Sequence, residues 1–418
     1  MSGPRAAIAR GASGPRDTPM KITAIRSHVL GYVLPEELGY SQQYYARRTC
    51  HLVEVQTDEG VTGWGECFGP GPVALANAQI VEGVVAPLLV GCDPLDRAAH
   101  WHRVYNLTRD HGQKGMVVQA LSGVDIALWD IAGKAAGLPL HALIGGRFRD
   151  RVKVYGYAMM LKREGVAEHE ARFRDEAAAL REAGFAGVKM KVGLGVRDDI
   201  RLATAVREGV GDDYPFMVDA NHAYAAPEAL EVGLALDELG AHWFEEPVAP
   251  EDRAGYRFLR SRLRTRIAGG EAEFTRFGWR DLLDADCLSI AQPEVCGLGG
   301  VSEYLKVLAL CQARMVPVVN HVWGSAVALA LNLHLLAAQE PMPGGLNPTE
   351  PWLEFDTTHN LFRDRLLRTP LDLPGQVAAH GAATVPAGPG LGVDPDPDFM
   401  AHYAVRPPGA AVRWEALP

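Results

Sequence analysis

From Met20 the chain alternates apolar and polar residues through KITAIRSHVL, CHLVEVQTDEG and VTGWGEC, with an Asp-Glu-Gly turn between the second and third runs. That pattern predicts an antiparallel meander. Between the first two runs, GYVLPEELGYSQQYYARRT exceeds a tight hairpin and is rich in Tyr and Arg (Tyr40, Tyr44, Tyr45, Arg47, Arg48). It reads as a long loop of the kind that closes over a site. Residues 74 to 146 change to helical periodicity, with Gly137 and Pro139 separating two amphipathic segments.

A different beat begins at residue 152, where short apolar runs of strand length alternate with amphipathic helices. Strands are expected at 152–158, 187–191, 215–219, 242–245, 266–270, 287–291 and 316–320, and an eighth ends at Glu350. The helices between them fall at 167–183, 198–209, 227–239, 251–261, 275–284, 300–312 and 325–338. The fold class expected is α/β: a (β/α)7β modified TIM barrel behind an α+β capping domain that the C-terminal tail completes. The division is 1–19, a disordered Gly/Pro/Ser/Arg extension; 20–147, the capping domain; 148–352, the barrel; and 353–418, the returning tail.

At 418 residues the chain is too long for one core, which agrees with two domains. The longest apolar stretch, SAVALALNLHLLAA, is interrupted by Asn332 and His334 and falls short of the ~18 residues a membrane helix needs. No membrane partner is therefore expected. The net charge of −10, with no basic stripe to offset it, argues against nucleic-acid binding. Six cysteines without a CxxC pair fit a reduced compartment, and the first residues lack a signal peptide's apolar core, so a cytoplasmic location is expected.

The chemistry lies at strand ends. Asp219, Glu245 and Glu271 each close an apolar run, and the intervals between them are 26 and 26 residues. One strand, loop, helix and return loop occupy about that length, so the three acids converge on one rim of a barrel. Crowded carboxylates require a cation, and hard oxygen ligands suit Mg²⁺. A strand-end acid taken singly more often caps the following helix; equal spacing of three favours the metal. Lys189 and Lys191 share one face of their strand, and each ammonium lowers the other's pKa, which suits Lys191 to act as a base. His321 ends the seventh strand, and Glu294, ending the sixth, is expected beside it to fix its tautomer. A metal flanked by a Lys and a His suits removal of a proton α to a carboxylate.

These motifs, Lys189-Met190-Lys191, Asp219 with Asn221, FEEP at Glu245, GGE at Glu271 and NHVWGS at His321, resemble the mandelate racemase subgroup of the enolase superfamily. The resemblance implies Asp219, Glu245 and Glu271 as Mg²⁺ ligands, with Mn²⁺ a substitute, and Lys191 and His321 as an acid/base pair. It implies Glu350 as the acid touching the substrate carboxylate and a homo-oligomeric enzyme. More narrowly, ANHAY, WFEEPV, HVWG and NPTEPWLEFDTTHN resemble the galactarolactone and anhydro-galactonate cycloisomerases. Those enzymes remove an α-proton and open a ring to a 3-deoxy-2-keto acid. The substrate implied is a sugar acid or its lactone, with Asn221, His222, Trp323, Tyr45 and Arg47 as candidate contacts. A dehydratase or racemase of the same subgroup is the alternative, and a non-catalytic metal-binding homologue a remoter one. Glu294 departs from the subgroup's usual Asp, and Glu273 adds an acid near the rim.

Overall fold

The computed structural model describes residues 19–405, so the expected N-terminal extension lies outside it except for Pro19. The meander is present: β1 (Ile22–Tyr40), β2 (Gln43–Thr57) and β3 (Thr62–Cys67) form an antiparallel sheet in that order. The long loop expected between the first two strands is not. Both strands continue through it, from Ile22 paired with Thr57 to Tyr40 paired with Gln43, leaving a turn at Ser41 and Gln42. Tyr32, Leu34 and Leu38 bury themselves in the main core from within this stretch. A register shift between Val33 and Leu38 absorbs Pro35, Glu36 and Glu37, which stay exposed.

Behind the sheet pack α1 (Pro72–Ile80), a π-helical turn (Val81–Val85), α2 (Ala86–Leu89), α3 (Arg97–Thr108), α4 (Met116–Ala136) and α5 (Leu140–Leu143). Helix α4 is the spine of this domain and passes so close to β3 that a Cβ at Gly63 or Gly65 would overlap its backbone oxygens. Two helical runs, Pro72–Leu89 and α4, have the length and mean hydropathy of a membrane span. That corrects the reading of unbroken apolar runs, which passed over α4 because Gln119, Ser122, Asp125 and Asp130 interrupt it. All four are buried inside the protein.

The barrel alternates β4 (Arg151–Tyr157), α6 (Val166–Glu182), β5 (Gly187–Lys191), α7 (Val196–Val210), β6 (Phe216–Asp219), α8 (Ala226–Leu239), β7 (Trp243–Glu245) and α9 (Arg253–Arg262). It continues with β8 (Arg266–Gly269), α10 (Thr275–Asp284), β9 (Ile290–Ala291), α11 (Val295–Leu298), α12 (Gly300–Ala313) and α13 (Ala326–Ala338). The seventh strand position is a minimal one, held to β9 by a bridge between Ala291 and Val318. The eighth strand, β10 (Trp352–Asp356), pairs in parallel with β4 and begins after Glu350 rather than ending there. Along each strand one set of side chains faces the helices and the other fills the interior, where Tyr155, Met217, Trp243, Ala268, Ile290 and Val319 pack together.

The tail runs through α14 (Leu361–Asp364) and α15 (Leu373–His380), and β11 (Ala382–Thr384) pairs antiparallel with β4. It then reaches the capping domain, where Leu391 N–H donates to Asp130 Oδ1 at 2.8 Å and, past α16 (Pro397–Tyr403), Val405 N–H donates to Val29 O at 2.9 Å.

Two buried acids of the capping domain dock onto the starts of barrel helices, where backbone N–H groups lack partners. Asp125 of α4 accepts from Ser302 N at 2.9 Å at the start of α12. Glu66 of β3 accepts from Ser325 N at 3.0 Å and Ala328 N at 3.1 Å at the start of α13. Burial pushes both carboxyls up to about 7, against the pull of these donors.

A raised folded-state pKa means that the native protein holds a proton the unfolded chain releases, so this contribution to stability is lost as pH rises from about 4 towards 7. Denaturation of wild type and Asp125→Asn across that range should therefore show the wild type losing stability relative to the variant, by on the order of 1–3 kcal/mol. Parallel curves for the two proteins would contradict the assignment.

Candidate active site

Strand register brings the charged residues to one level. Lys191 is the direct partner of Asp219, and Asp219 that of Glu245. Glu271 follows β8 by way of Gly270, whose φ of 112° and contact with the Trp279 ring leave no room for a side chain. One carboxylate oxygen from each of Asp219, Glu245 and Glu271 lies within 4.8 Å of the others. The donors are all hard oxygens; Asp219 and Glu245 are buried, while Glu271 faces the cavity. Such a set can hold a divalent cation with positions left open on the cavity side.

The lysines answer this negative charge from below and from one side. Lys189 is buried in the barrel, with Nζ 2.7 Å from Glu245 Oε1, 2.5 Å from Glu354 Oε1 and 3.7 Å from Asp219 Oδ2. Glu245 Oε2 in turn accepts from Trp243 Nε1 at 2.8 Å and Gln292 Nε2 at 2.7 Å. Lys191 Nζ lies 2.5 Å from Asp219 Oδ2 and 3.0 Å from Asn221 Oδ1. Burial pulls the Lys191 ammonium down, but Asp219, Glu271 and Glu245 outweigh both burial and Lys189, and its pKa is raised. This reverses the expected lowering: the acids around the two ammonium groups outnumber them. Glu245 is pushed up by burial and by Asp219, whereas the two lysines overcome burial to hold Asp219 down.

Across the mouth, His321 Nδ1 lies 2.7 Å from Glu294 Oε2, and its Nε2 lies 3.3 Å from Glu271 Oε2. The longer side chain therefore reaches the imidazole. Burial would lower the His321 pKa, yet Glu271 and the Glu294 hydrogen bond carry it to about 10.

Above these groups is a cavity of about 690 Å³ whose floor includes Lys191, Asn221, Glu271 and His321. Trp323 and Phe68 stand in its wall; Phe68 meets the His321 ring edge-on at 5.6 Å and the Trp323 ring at 6.4 Å. The β1–β2 hairpin covers one side with Tyr40, Tyr45 and Arg47. Its turn is fastened to the barrel, with Ser41 Oγ donating to Asn221 O at 2.7 Å and Gln42 Nε2 to the same oxygen at 2.8 Å. Asn221, His222 and Glu246 all have positive φ, so the ends of β6 and β7 are strained where they meet the cavity.

Two sequence expectations fail here. Glu350 lies at the opposite end of the barrel, partly exposed, 3.4 Å from Lys153. The acid on the eighth strand that reaches the site is Glu354, which binds Lys189 and accepts from Val322 N at 2.9 Å. The alternation in WLEFD is the sequence signal for this strand, which begins at Trp352, directly after Pro351. His222 is not part of the cavity lining; its Nε2 faces the buried Glu246 at 3.1 Å. Glu273, the extra acid after Glu271, turns away to Lys114 at 2.5 Å. Glu246 and Gln292, not anticipated from the sequence, complete the surroundings of the acids.

Residues 172–399 match the family described as enolase C-terminal domain-like, and residues 37–145 match the mandelate racemase / muconate lactonizing enzyme N-terminal domain. The chain belongs to the enolase superfamily, mandelate racemase subgroup. It is 41% identical over 389 residues to the D-galactarolactone cycloisomerase of Agrobacterium fabrum, covering 93% of this chain and all of that one. Its fold is similar to the 3,6-anhydro-D-galactonate cycloisomerase of Zobellia galactanivorans, with a TM-score of 0.81 and 34% identity over 92% of this chain and all of the other. It is also similar to the L-talarate/galactarate dehydratase of Salmonella typhimurium LT2 liganded with Mg and L-lyxarohydroxamate. There the TM-score is 0.79 and the identity 27%, over 96% of each chain. The protein is accordingly an enzyme of the lyase/isomerase type found in this superfamily.

The buried Lys189–Glu354 pair and the exposed Lys153–Glu350 pair give opposite expectations. Glu354→Gln leaves Lys189 to Glu245 and Asp219 but replaces the charged acceptor of both Lys189 and Val322 N, and should destabilise the protein by roughly 1–3 kcal/mol. Glu350→Gln should change stability by less than about 0.5 kcal/mol. Equal effects in chemical denaturation would contradict the difference in burial between the two pairs.

Proposed function

We propose that the protein is a Mg²⁺-dependent cycloisomerase acting on a sugar-acid lactone or a related cyclic sugar acid. The observation that carries this reading is the placing of Lys191 and His321 on two sides of a cavity floor that also presents Glu271. The 41% identity to a galactarolactone cycloisomerase along that enzyme's whole length supports the substrate class.

Asp219, Glu245 and Glu271 would hold the cation, with Mn²⁺ as a substitute. When bound, it would neutralise the charge that develops on the substrate carboxylate as the α-proton leaves. Neutralised by a cation, Asp219, Glu245 and Glu271 would no longer hold the Lys191 and His321 pKa values so high, and one of the two would then take that proton. The bond from the β-carbon to the ring oxygen breaks with its electron pair leaving on that oxygen, giving a ring-opened enol. The enol becomes a 2-keto acid as a proton is returned at the β-carbon, so product and substrate are isomers. Glu294 holds His321 by its Nδ1 and presents Nε2 to the cavity. Lys189 fixes Glu245 and Glu354, and Glu354 rather than Glu350 takes the part of the eighth-strand acid. Asn221 orients Lys191, while Tyr45, Arg47 and Trp323 face the remote part of the substrate. A dehydratase would use the same groups to expel hydroxide from an open-chain acid. The six cysteines, none of them bonded, and the family resemblance favour a cytoplasmic homo-oligomer.

Incubation with Mg²⁺ and a panel of aldaric acids, their lactones and anhydro-aldonates, with detection of 2-keto acids, should give product from the cyclic substrates. Product from open-chain acids alone would assign the enzyme to the dehydratases. Lys191→Ala and His321→Asn should each lower turnover by on the order of 10²–10⁴-fold. Retention of full α-proton exchange in D₂O by both variants would remove the two residues from the chemistry.

A further inference from the structure

His321 and Trp323 lie on a five-residue segment, His321 to Ser325, that joins the seventh strand position to α13. Only His321 makes a ladder bridge, to Glu294; the remaining residues belong to no strand or helix. Side chains from elsewhere hold the segment instead. From the barrel side, Glu354 accepts from Val322 N at 2.9 Å, and Asn360 Nδ2 donates to Gly324 O at 3.2 Å. From the capping domain, Glu66 takes the other end. It accepts from Ser325 N at 3.0 Å, Ser325 Oγ at 2.6 Å and Ala328 N at 3.1 Å. A Cβ at Gly324 would come within 2.8 Å of Glu66 Oε1, so this close approach also depends on glycine at that position.

Glu66 lies on β3, is 4% exposed and does not line the large cavity. It does line a small void of about 20 Å³ that Glu294, Phe68, Cys296 and Trp323 share. The acid therefore stands behind both the His321–Glu294 pair and the aromatic wall, across the domain boundary from them. Resting on the proposed function, we propose that Glu66 is a positioning residue. By anchoring Ser325 and the first turn of α13, it sets the height of the His321–Ser325 segment over the barrel mouth, and so places the imidazole and the Trp323 ring. Glu66 then governs the proton-transfer geometry on the His321 side from across the domain boundary, without itself touching the reacting atoms. Lys191, which depends on Asp219 and Asn221, lies outside its reach.

The test uses Glu66→Gln, which keeps the side chain's size but turns an amide donor towards N–H groups. The indole N–H signal of Trp323 and the ring signals of His321, assigned with Trp323→Phe and His321→Asn, should shift in ¹⁵N-resolved NMR spectra while the other tryptophan signals stay in place. Turnover should fall by about tenfold or more at nearly constant KM, as for other groups that orient a reacting residue from behind. The α-proton exchange that survives in His321→Asn should be largely retained, and Ser325→Thr, which keeps a hydroxyl, should behave as wild type. Should Glu66→Gln fail to fold, Ser325→Ala removes the hydroxyl donor to Glu66 and should move the same two sets of signals. A folded variant with unmoved Trp323 and His321 signals, or with unchanged turnover, would overturn the proposal. Shifted signals in a protein whose wild type turns over no sugar acid would overturn the proposed function and leave the positioning role standing.

Discussion

Repulsion among carboxylates at the barrel mouth is the constraint to which the rest of the structure answers. Asp219, Glu245 and Glu271 share a space 4.8 Å across, with Glu246, Glu294 and Glu354 buried around them. Acids this close and this dry stay ionised only where cations and donors meet them. Lys189 meets Glu245, Glu354 and Asp219 from inside the barrel, Lys191 meets Asp219 from the side, and Trp243 and Gln292 both donate to Glu245 Oε2. The negative charge left over faces the cavity. A hard cation fits there, and so does the carboxylate of a substrate bound to it.

The capping domain uses the same principle for a different end. Asp125 and Glu66 are buried acids that accept from the N–H groups of barrel helices, and Asp130 is satisfied by Trp64 N, Leu391 N and Lys134. These contacts tie sheet, barrel and tail into one body. At the rim of that body the β1–β2 hairpin, fastened to Asn221, supplies Tyr40, Tyr45 and Arg47 to the cavity. Arg48, its neighbour, is buried instead; it lies 2.5 Å from Asp356 of β10 and over the Trp323 ring at 4.8 Å. Alternation along one strand thus sends successive arginines to the cavity and to the domain interface.

Much of this was legible because the barrel's chemistry follows from periodicity. A 26-residue interval repeated twice states that three acids occupy equivalent positions, and parallel register then makes Asp219 and Glu245 direct partners. The two-residue spacing of Lys189 and Lys191 likewise fixed their common face. What was not legible depended on contacts between distant segments. Lys191's raised pKa needs the count of acids around it, which includes residues from three other strands. The run through Tyr40 looked like a loop because Pro35 and two glutamates interrupt its alternation, and a bulge inside a paired strand leaves no simple mark in the sequence. The eighth strand was expected to end at Glu350, and only the pairing of β10 with β4 shows that it starts at Trp352 and carries Glu354 instead. Glu66 drew no notice, since its partners lie some 260 positions away in the chain.

The central claim is that these three carboxylates form one divalent-cation site between two proton-transfer residues. Titration of the protein with Mn²⁺, followed by electron paramagnetic resonance with Mg²⁺ as competitor, tests it most directly. The account predicts one saturable site per chain with oxygen coordination, displaced by Mg²⁺ and lost in Asp219→Asn and in Glu271→Gln. Absence of a saturable site in the wild type, or its persistence in both variants, would contradict it.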